Sequence, residues 1–197
     1  MDKENYRKSE NYFFLSRCFA GKITLEDLEN YLKIIQEIVP QEGEFLYKIK
    51  DLIEGWMKQE DIGLELPREY TKLFVLPDGV KPYESVYRGE EIRLMQDPWV
   101  EVKNFYKKKG WQMENSIYPE DHAAVELSFM GHLVAAGEEE DAINFFRQHV
   151  VNWIPDLMKD VMNNQNAKLY NKWAEYGLSY IQSEDKSYQA NNFNKYR

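Results

Sequence analysis

Cysteine is nearly absent from this sequence of 197 residues, in which Cys18 is the only one. A single cysteine excludes a disulfide within the chain and fits a reducing compartment. The chain also has no run approaching the roughly 20 apolar residues that span a bilayer. Its most apolar N-terminal run, "YFFLSRCFAG", is interrupted by Arg17 and follows mixed charge, unlike an export signal. We therefore expect a soluble, cytoplasmic protein.

Positive charge is in deficit as well. Lys and Arg number 25 against 34 Asp and Glu, which gives a net charge of −9. Nucleic acids and anionic membranes are bound through clustered Lys and Arg, so this balance argues against both and is compatible with a positively charged partner. Hydrophobic residues make up 43% and aromatic residues 15%, which is enough to build a core and excludes a disordered chain.

Apolar residues recur at helical spacing along most of the sequence. Thr24, followed by Asp27 three residues later, predicts a capped helix start, and apolar residues at helical spacing continue until Pro40. Residues 68–75 predict a further helix. Pro155 is expected to kink or break a later one.

The stretch "DPWVEVKNFYKKKG" predicts a helix with both ends marked. Asp97 is the predicted N-cap, Pro98 suits the first helical position, and Gly110 can adopt the left-handed conformation after the last turn. Such local signals at both ends make this helix well defined from the sequence alone.

The fold that these patterns predict is all-α, a single-domain helical bundle over residues 1–197 with its core at about residues 10–182. The last predicted helix covers residues 167–181. Residues 183–197 show no clear period and are expected to form a loose tail.

The segment of residues 76–96, "LPDGVKPYESVYRGEEIRLMQ", sustains no helical period. Connections of about 20 residues are uncommon in compact domains and are usually functional or disordered. Tyr83 and Tyr87 flank Ser85 here, a composition unlike that of a solvated linker. We therefore predict a long ordered loop.

Residues 119–136, "PEDHAAVELSFMGHLVAA", are apolar nearly all the way round a helix axis, which predicts a buried central helix. Pro119 suits the first helical position, so Glu120, Asp121 and His122 are expected in the first turn. A stripe of small residues offers another helix a close approach: Ala124, Ser128, Gly131 and Ala135.

Two interpretations of this polar helix start are open. Carboxylates stabilise helix N-termini by about 0.3–1 kcal/mol each, which accounts for Glu120 and Asp121 without any function. It does not account for His122, whose protonated form the positive helix end disfavours, or for Glu126 in an otherwise apolar surface. The alternative is that this cluster forms part of a site.

Catalytic and metal chemistry find little support. His122 and Glu126 share a helix face and are a feasible ligand pair, but three histidines and one cysteine lead us to expect no metal site. A small hydrolase or nucleotide-binding enzyme using Ser85, Asp121 and His122 is the alternative function. Ser85 lacks the G-x-S-x-G turn, however, and neither phosphate-binding glycine motif occurs. We expect no catalytic residues, and we expect His149 to be a satisfied core or boundary histidine.

Peptide binding fits the composition better. An apolar segment carrying basic residues needs a hydrophobic groove with carboxylates at one end. Tyr83, Tyr87 and Trp99 could line such a groove. The carboxylates that could meet the positive end are Glu84, Glu90, Glu91, Asp97, Glu101, Asp121 and Glu126.

Four stretches, in order, resemble one protein family. "KPYESVY" (81–87) resembles its Y-x-S-x-Y/W motif and "YPEDHAAVELSFMGHL" (118–133) its P-x-D-H helix start. "EYTKLFVLP" (69–77) and "FFRQHVVNWIPDL" (145–157) resemble the segments that accompany them. The family is TorD/DmsD/NarJ, cytoplasmic chaperones for the maturation of molybdenum-containing redox enzymes.

The resemblance implies an all-helical chaperone, not an enzyme, that binds the twin-arginine signal peptide of a client molybdoenzyme. It would hold the apo client back from export until its cofactor is inserted. Guanine nucleotide and the molybdenum cofactor are implied by the resemblance alone, and we assign no cofactor. The predicted peptide-binding residues are Tyr83, Glu84, Ser85, Tyr87, Trp99, Pro119, Asp121, His122 and Glu126.

Two features leave the partners open. Arg88 and Gly89 follow the loop motif where the resemblance leads us to expect more apolar residues, and Arg88 would repel a basic peptide. This leaves the identity of the client undetermined. The oligomeric state is open between a monomer and a helix-exchanged dimer, for which the loop of residues 76–96 would be the hinge.

Overall fold

The computed structural model describes residues 2–38, 44–91, 93–112 and 117–195. Within them, the one strand-like feature is an isolated bridge, and the all-α prediction is confirmed. No helix described there is long and apolar enough to cross a membrane. The helices are α1 (Lys3–Phe19), α2 (Leu25–Ile38), α3 (Glu44–Met57), α4 (Ile62–Tyr70), α5 (Glu84–Arg88), α6 (Asp97–Lys109), α7 (Ala123–Ala136), α8 (Glu139–Phe145), α9 (Ile154–Asn163) and α10 (Leu169–Lys195). Two π-helical turns, Thr71–Val75 and Phe146–Val150, extend α4 and α8.

Helix α7 forms the centre of the bundle, and α1 packs along it. Residues 121–131 are all buried. A Cβ atom added at Gly131 would lie 2.4 Å from the Phe13 ring, and Ser16 Oγ donates a hydrogen bond of 2.6 Å to the Ala124 carbonyl. The small residues therefore let two helix backbones approach closely, as the sequence predicted.

The start of α7 differs from the prediction, because the helix begins at Ala123 rather than at Pro119. His122 is the N-cap, with extended backbone (φ −79°, ψ 139°), and its Nδ1 accepts the Ala124 N–H at 3.1 Å. The backbone around His122 is hydrogen-bonded to loop residues 82–84. That pairing holds it extended, so the helix cannot begin earlier.

Several local helix signals are confirmed. The Thr24 hydroxyl accepts the Asp27 N–H at 3.2 Å, and the Asp27 carboxylate accepts the Thr24 N–H at 2.7 Å, which is a reciprocal capping box. Gly110 ends α6 in the left-handed conformation (φ 63°). Pro155 follows Ile154 in the first turn of α9, after the chain has broken from the preceding helix. The predicted stop at Pro40 lies outside the described residues.

Two other helix limits differ. The helix predicted over residues 68–75 begins earlier, at Ile62, and changes from α to π geometry at Thr71. Gln96, not Asp97, is the N-cap of α6. The Gln96 backbone is extended (φ −91°, ψ −166°), so the helix begins only at the next residue. Its side chain donates to the Ser85 carbonyl in the preceding loop, which holds Gln96 in that place.

The loose tail expected for residues 183–197 is corrected, since α10 continues to Lys195. Glu184 and Tyr188 are both buried, and the Tyr188 ring packs edge-on against Phe146 at 5.0 Å between centroids. The buried face of this part of the helix includes a carboxylate and a tyrosine, so its periodicity does not register as apolar.

The beginning of α10 is fixed by tertiary structure. The Glu69 carboxylate, on α4, accepts the backbone N–H groups of Lys168, Leu169 and Tyr170 at 2.7–3.0 Å. These are the amide groups that a helix start leaves without intrahelical partners. The cap is supplied from a residue far away in the sequence, which ties α4 to α10.

Candidate functional site

The loop and the start of α7 converge, as the inclusion of residues from both in one predicted peptide-binding set requires. Tyr83 and His122 form an isolated antiparallel bridge. The Glu84 N–H donates to the Asp121 carbonyl and the Ala123 N–H to the Pro82 carbonyl, each at 2.9 Å. The two family-like motifs therefore form one structural unit, which we call the junction: residues 82–85 with residues 121–123.

The Asp121 carboxylate fastens the junction. Its Oδ2 accepts the Ser85 backbone N–H at 3.0 Å and the Ser85 hydroxyl at 2.5 Å. Both residues are fully buried. Burial raises the pKa of the Asp121 carboxyl, although the bonds from Ser85 act in the opposite direction. The carboxylate thus serves as an interior acceptor for the loop.

Gln96 closes the remainder of the loop. Its Nε2 donates to the carbonyl of Ser85 at 3.0 Å and to that of Glu91 at 2.6 Å, and its Oε1 accepts the Glu91 N–H at 3.2 Å. A Cβ atom at Gly89 would lie 2.1 Å from Gln96 Nε2 and 2.4 Å from the Ser85 carbonyl oxygen. The glycine that departs from the expected pattern is therefore needed for space.

The His122 ring contacts two tyrosine rings. Tyr118 stacks on its ring at 4.0 Å between centroids with 17° between planes, and Tyr83 meets it edge-on at 4.9 Å. Burial lowers the pKa of His122 to about 3. The imidazole is therefore neutral at pH 7, which is the form that can accept the Ala124 N–H at the positive end of α7.

Two further carboxylates are buried here, Glu84 within the junction and Glu126 in the first turn of α7. Glu84 contacts Nδ1 of His149 at 3.0 Å and also receives the Arg88 guanidinium. Glu126 Oε2 accepts the Trp153 indole N–H at 2.9 Å. Burial, together with repulsion from Glu84, raises the pKa of Glu126 well above its ordinary value. His149 is thus a core histidine with a partner, as predicted.

The nine predicted site residues divide by exposure. Tyr83, Tyr87, Trp99 and Pro119 are half-buried and can be reached from outside. The Tyr87 hydroxyl donates to Asp160 at 2.8 Å. The fully or almost fully buried members, which serve the interior of the junction, are Glu84, Ser85, Asp121, His122 and Glu126.

The arrangement does not provide nucleophilic catalysis. Such catalysis needs a base hydrogen-bonded to the nucleophile. His122 is not such a base for Ser85, because its Nδ1 accepts a backbone N–H. The Ser85 hydroxyl donates to Asp121, but both residues are fully buried and out of reach of a substrate. Burial also raises the pKa of the Cys18 thiol well above its ordinary value, which keeps it unreactive. Across the part of the chain that the structure describes, no group of three His, Cys, Asp or Glu is placed to hold a metal ion.

A cavity of about 590 Å³ opens beside the junction, next to Tyr118 and Glu120. Lys103 and Lys107 lie on its wall together with Trp111. Lys103 stands over the Trp99 ring and within 3.4 Å of Glu120. Two lysines make this cavity unfavourable for a cationic ligand.

The exposed residues at the end of the loop and the start of α6 have a different character. Leu94, Met95 and Val100 are 44%, 56% and 44% exposed, and Met95 has the positive φ of 59° that is rare for a residue with a side chain. Sequence reasoning missed these apolar positions, whose only signal is an apolar pair inside an otherwise polar loop. We call this the acidic–apolar surface: Glu90, Leu94, Met95, Asp97, Val100 and Glu101.

Comparison with known proteins agrees with this architecture. A family model described as nitrate reductase delta subunit matches residues 36–159, more than half of the chain. The chain belongs to this family. It is the NarJ/TorD family that the motifs resemble, and the match contains both halves of the junction.

Curated relatives in the NarJ/TorD family carry the name chaperone protein TorD. The protein from Vibrio cholerae serotype O1 is 25% identical over 201 residues, covering 91% of each chain. The one from Vibrio parahaemolyticus is 28% identical over 172 residues, covering 77% of this chain and 80% of its own. These relatives are named as chaperones and not as catalysts, in agreement with the prediction that the chain is not an enzyme.

The fold has a counterpart among solved structures. A crystal structure described as that of a redox enzyme maturation protein from Archaeoglobus fulgidus superposes with a TM-score of 0.64. The two chains are 21% identical, and the match covers 89% of this chain and 93% of the other. At that identity the likeness establishes the shared all-α fold.

Proposed function

We propose that this chaperone binds the twin-arginine signal peptide of a molybdenum-containing oxidoreductase subunit in the cytoplasm and holds the apo client until its cofactor is inserted. The observation that carries the proposal is the acidic–apolar surface beside the junction. A twin-arginine peptide has a cationic end followed by an apolar stretch, and this surface offers carboxylates next to exposed apolar side chains. The proposal gives the chaperone no cofactor of its own.

Apolar contact would come from three side chains within seven residues of chain. Leu94 and Met95 end the loop, and Val100 lies in the first turn of α6. Single exposed apolar residues are ordinary on protein surfaces, so the support here is that three of them occur within one short stretch of chain among exposed carboxylates. Trp99 is not part of this group, because its indole N–H donates to Glu120 and its ring lies under Lys103, two residues that line the cavity beside Tyr118.

Charge complementarity favours the same surface. Glu90, Asp97 and Glu101 are exposed, and guanidinium groups bind carboxylates through charge-assisted hydrogen bonds. The cavity beside Tyr118 has lysines instead. Among these two places, the cationic end of a peptide is therefore expected at the acidic–apolar surface.

In this proposal the buried predicted residues position the loop rather than touch the peptide. Asp121 holds Ser85, and Gln96 holds the end of the loop from which Leu94 and Met95 project. Loss of the junction would therefore weaken binding indirectly. The distinction between direct and indirect roles can be tested.

Isothermal calorimetry with twin-arginine peptides tests the proposal. The double change Leu94→Ser and Met95→Ser is expected to lower peptide affinity at least about tenfold, by loss of about 1.4 kcal/mol or more of apolar burial, without lowering the melting temperature. The matched control is Leu25→Ser with Leu64→Ser, whose side chains are equally exposed (44% and 55%) on α2 and α4. Equal affinity of both double variants, or no binding of any such peptide by the folded protein, would contradict the proposal.

A further inference from the structure

Arg88, the last residue of α5, pairs with Glu84 one helical turn earlier and also contacts two other parts of the chain. Its Nη1 donates to the Glu84 carboxylate and, at 2.9 Å, to the Gln148 carbonyl. Its Nη2 lies 3.8 Å from Glu101 Oε2. The Arg88 side chain is 29% exposed, while Glu84 is fully buried. A guanidinium thus lies in a site whose floor is an interior carboxylate and whose rim is Glu101.

The floor of this site is a group of buried carboxyl side chains. Glu84 lies against Glu126, whose pKa it raises together with burial, and near Asp121, and all three carboxyls are fully buried. Besides Arg88, the basic group in contact with Glu84 is His149. Buried carboxylates need a compensating charge. A guanidinium suits this place because it stays charged when partly buried and presents several donors in a fixed plane.

The site is continuous with the acidic–apolar surface. Glu101 belongs to both, and it follows Val100 in the first turns of α6. Arg88 ends α5, which packs against α6 and α9. A cation bound on that surface next to Glu101 would therefore meet the position that the Arg88 guanidinium now occupies.

We infer that Glu84, Glu101 and the Gln148 carbonyl form an arginine-binding subsite, which Arg88 fills in the free protein and an arginine of the client peptide takes over on binding. The inference rests on the proposed function for the identity of the ligand. A tethered side chain competes at high effective concentration, so the affinity measured for the peptide is the intrinsic affinity multiplied by the fraction of molecules in which Arg88 has left the subsite. Arg88, which would otherwise be expected to repel a basic peptide, thus occupies the position proposed for an arginine of that peptide.

The first test compares two arginines of the same loop. Arg88→Gln is expected to raise the affinity for a twin-arginine peptide about tenfold, because the competitor is removed. Arg93→Gln removes the same charge from an exposed pair with Glu91 and is expected to change affinity less than about twofold through screening. The gain with Arg88→Gln should disappear for a peptide whose arginines are replaced by lysine. Equal affinities of the two variants would overturn the inference.

The second test needs no peptide. Arg88→Ala leaves the subsite open, and millimolar ethylguanidinium is expected to raise the melting temperature of this variant by a few degrees but not that of the wild type. Ethylammonium, with the same charge but no planar fork, is the control. If Arg88→Ala does not fold, Arg88→Gln takes its place in the same measurement.

The two tests separate the inference from the proposed function. Rescue by ethylguanidinium without binding of any twin-arginine peptide would support the subsite and contradict the proposed function. Peptide binding without rescue, and without a gain from Arg88→Gln, would support the proposed function and overturn the subsite.

Discussion

The junction and the acidic–apolar surface both include residues of the loop of residues 76–96, and they differ in almost every physical respect. In the junction, the Ser85 hydroxyl and backbone N–H both donate to a fully buried carboxylate. On the acidic–apolar surface, Leu94 and Met95 extend into solvent beside carboxylates such as Glu90. The comparison teaches that the motif residues which identify the family need not be those that contact a partner. They fix the shape of a loop whose outer end is free to do so.

This difference gives a rule that mutations can test. Changes in the junction should lower the free energy of unfolding and alter peptide affinity only as a consequence. Changes on the acidic–apolar surface should lower affinity and leave stability unchanged, as for most surface substitutions. The following variants bear on that rule, from the largest expected effect to the smallest.

Asp121→Ala should have the largest effect on stability. It leaves the Ser85 N–H and hydroxyl buried without their acceptor, so we expect the free energy of unfolding to fall by about 3 kcal/mol. Urea unfolding measures this. Asp121→Asn, which keeps an acceptor oxygen, should lose less, and Asp78→Ala, an exposed aspartate of the same loop, should lose almost nothing. An Asp121→Ala protein as stable as Asp78→Ala would show that the junction is not held by this carboxylate.

His122→Asn should alter how stability depends on pH. The folded-state pKa of His122 is lowered to about 3, whereas an unfolded histidine titrates near about 6.5. Between these values the unfolded chain binds the proton and the folded chain does not, so stability falls as pH falls. Asparagine keeps a helix cap without titrating. At pH 4.5 the wild type should therefore lose about 2 kcal/mol more than the variant, each measured relative to its own value at pH 7.5. Parallel pH profiles would exclude a neutral, buried imidazole.

Gly89→Ala should have the smallest of these effects on stability and the most informative one on affinity. The added methyl would meet Gln96 and the Ser85 carbonyl, and overpacking of this kind costs about 1–2 kcal/mol. Because the Gln96 side chain holds the end of the loop that carries Leu94 and Met95, peptide affinity in calorimetry should fall as well. Gly55→Ala on α3, where nothing lies within 4 Å, is the control and should not destabilise the fold. Normal peptide affinity with reduced stability would show that the loop end carrying Leu94 and Met95 does not depend on the junction.

Much of the fold could be predicted because its signals are local. The capping box of Thr24 and Asp27 and the left-handed Gly110 lie next to the helices that they limit. Errors arose where a distant contact decides the outcome. The N-terminus of α7 depends on pairing with the loop, and the last turns of α10 depend on a buried Glu184 and Tyr188.

The site was predictable to the same degree. The spacing and composition of the two motifs indicated that residues 83–87 and His122 meet, and they do. The sequence could not reveal that Ser85 and Asp121 are hydrogen-bonded to each other in the interior, since burial depends on the elements around them. Nor could it reveal that Arg88 lies between Glu84 and Gln148, because Gln148 belongs to a helix far along the chain.

The bonds of Gln96 also bear on how two copies could associate. An exchange of helices between copies would require residues 76–96 to straighten, which breaks the contacts of Gln96 with Ser85 and Glu91 in both molecules at once. A segment tied in this way is a poor hinge. Interchange through it should be slow in the native state and quicken only under mildly denaturing conditions.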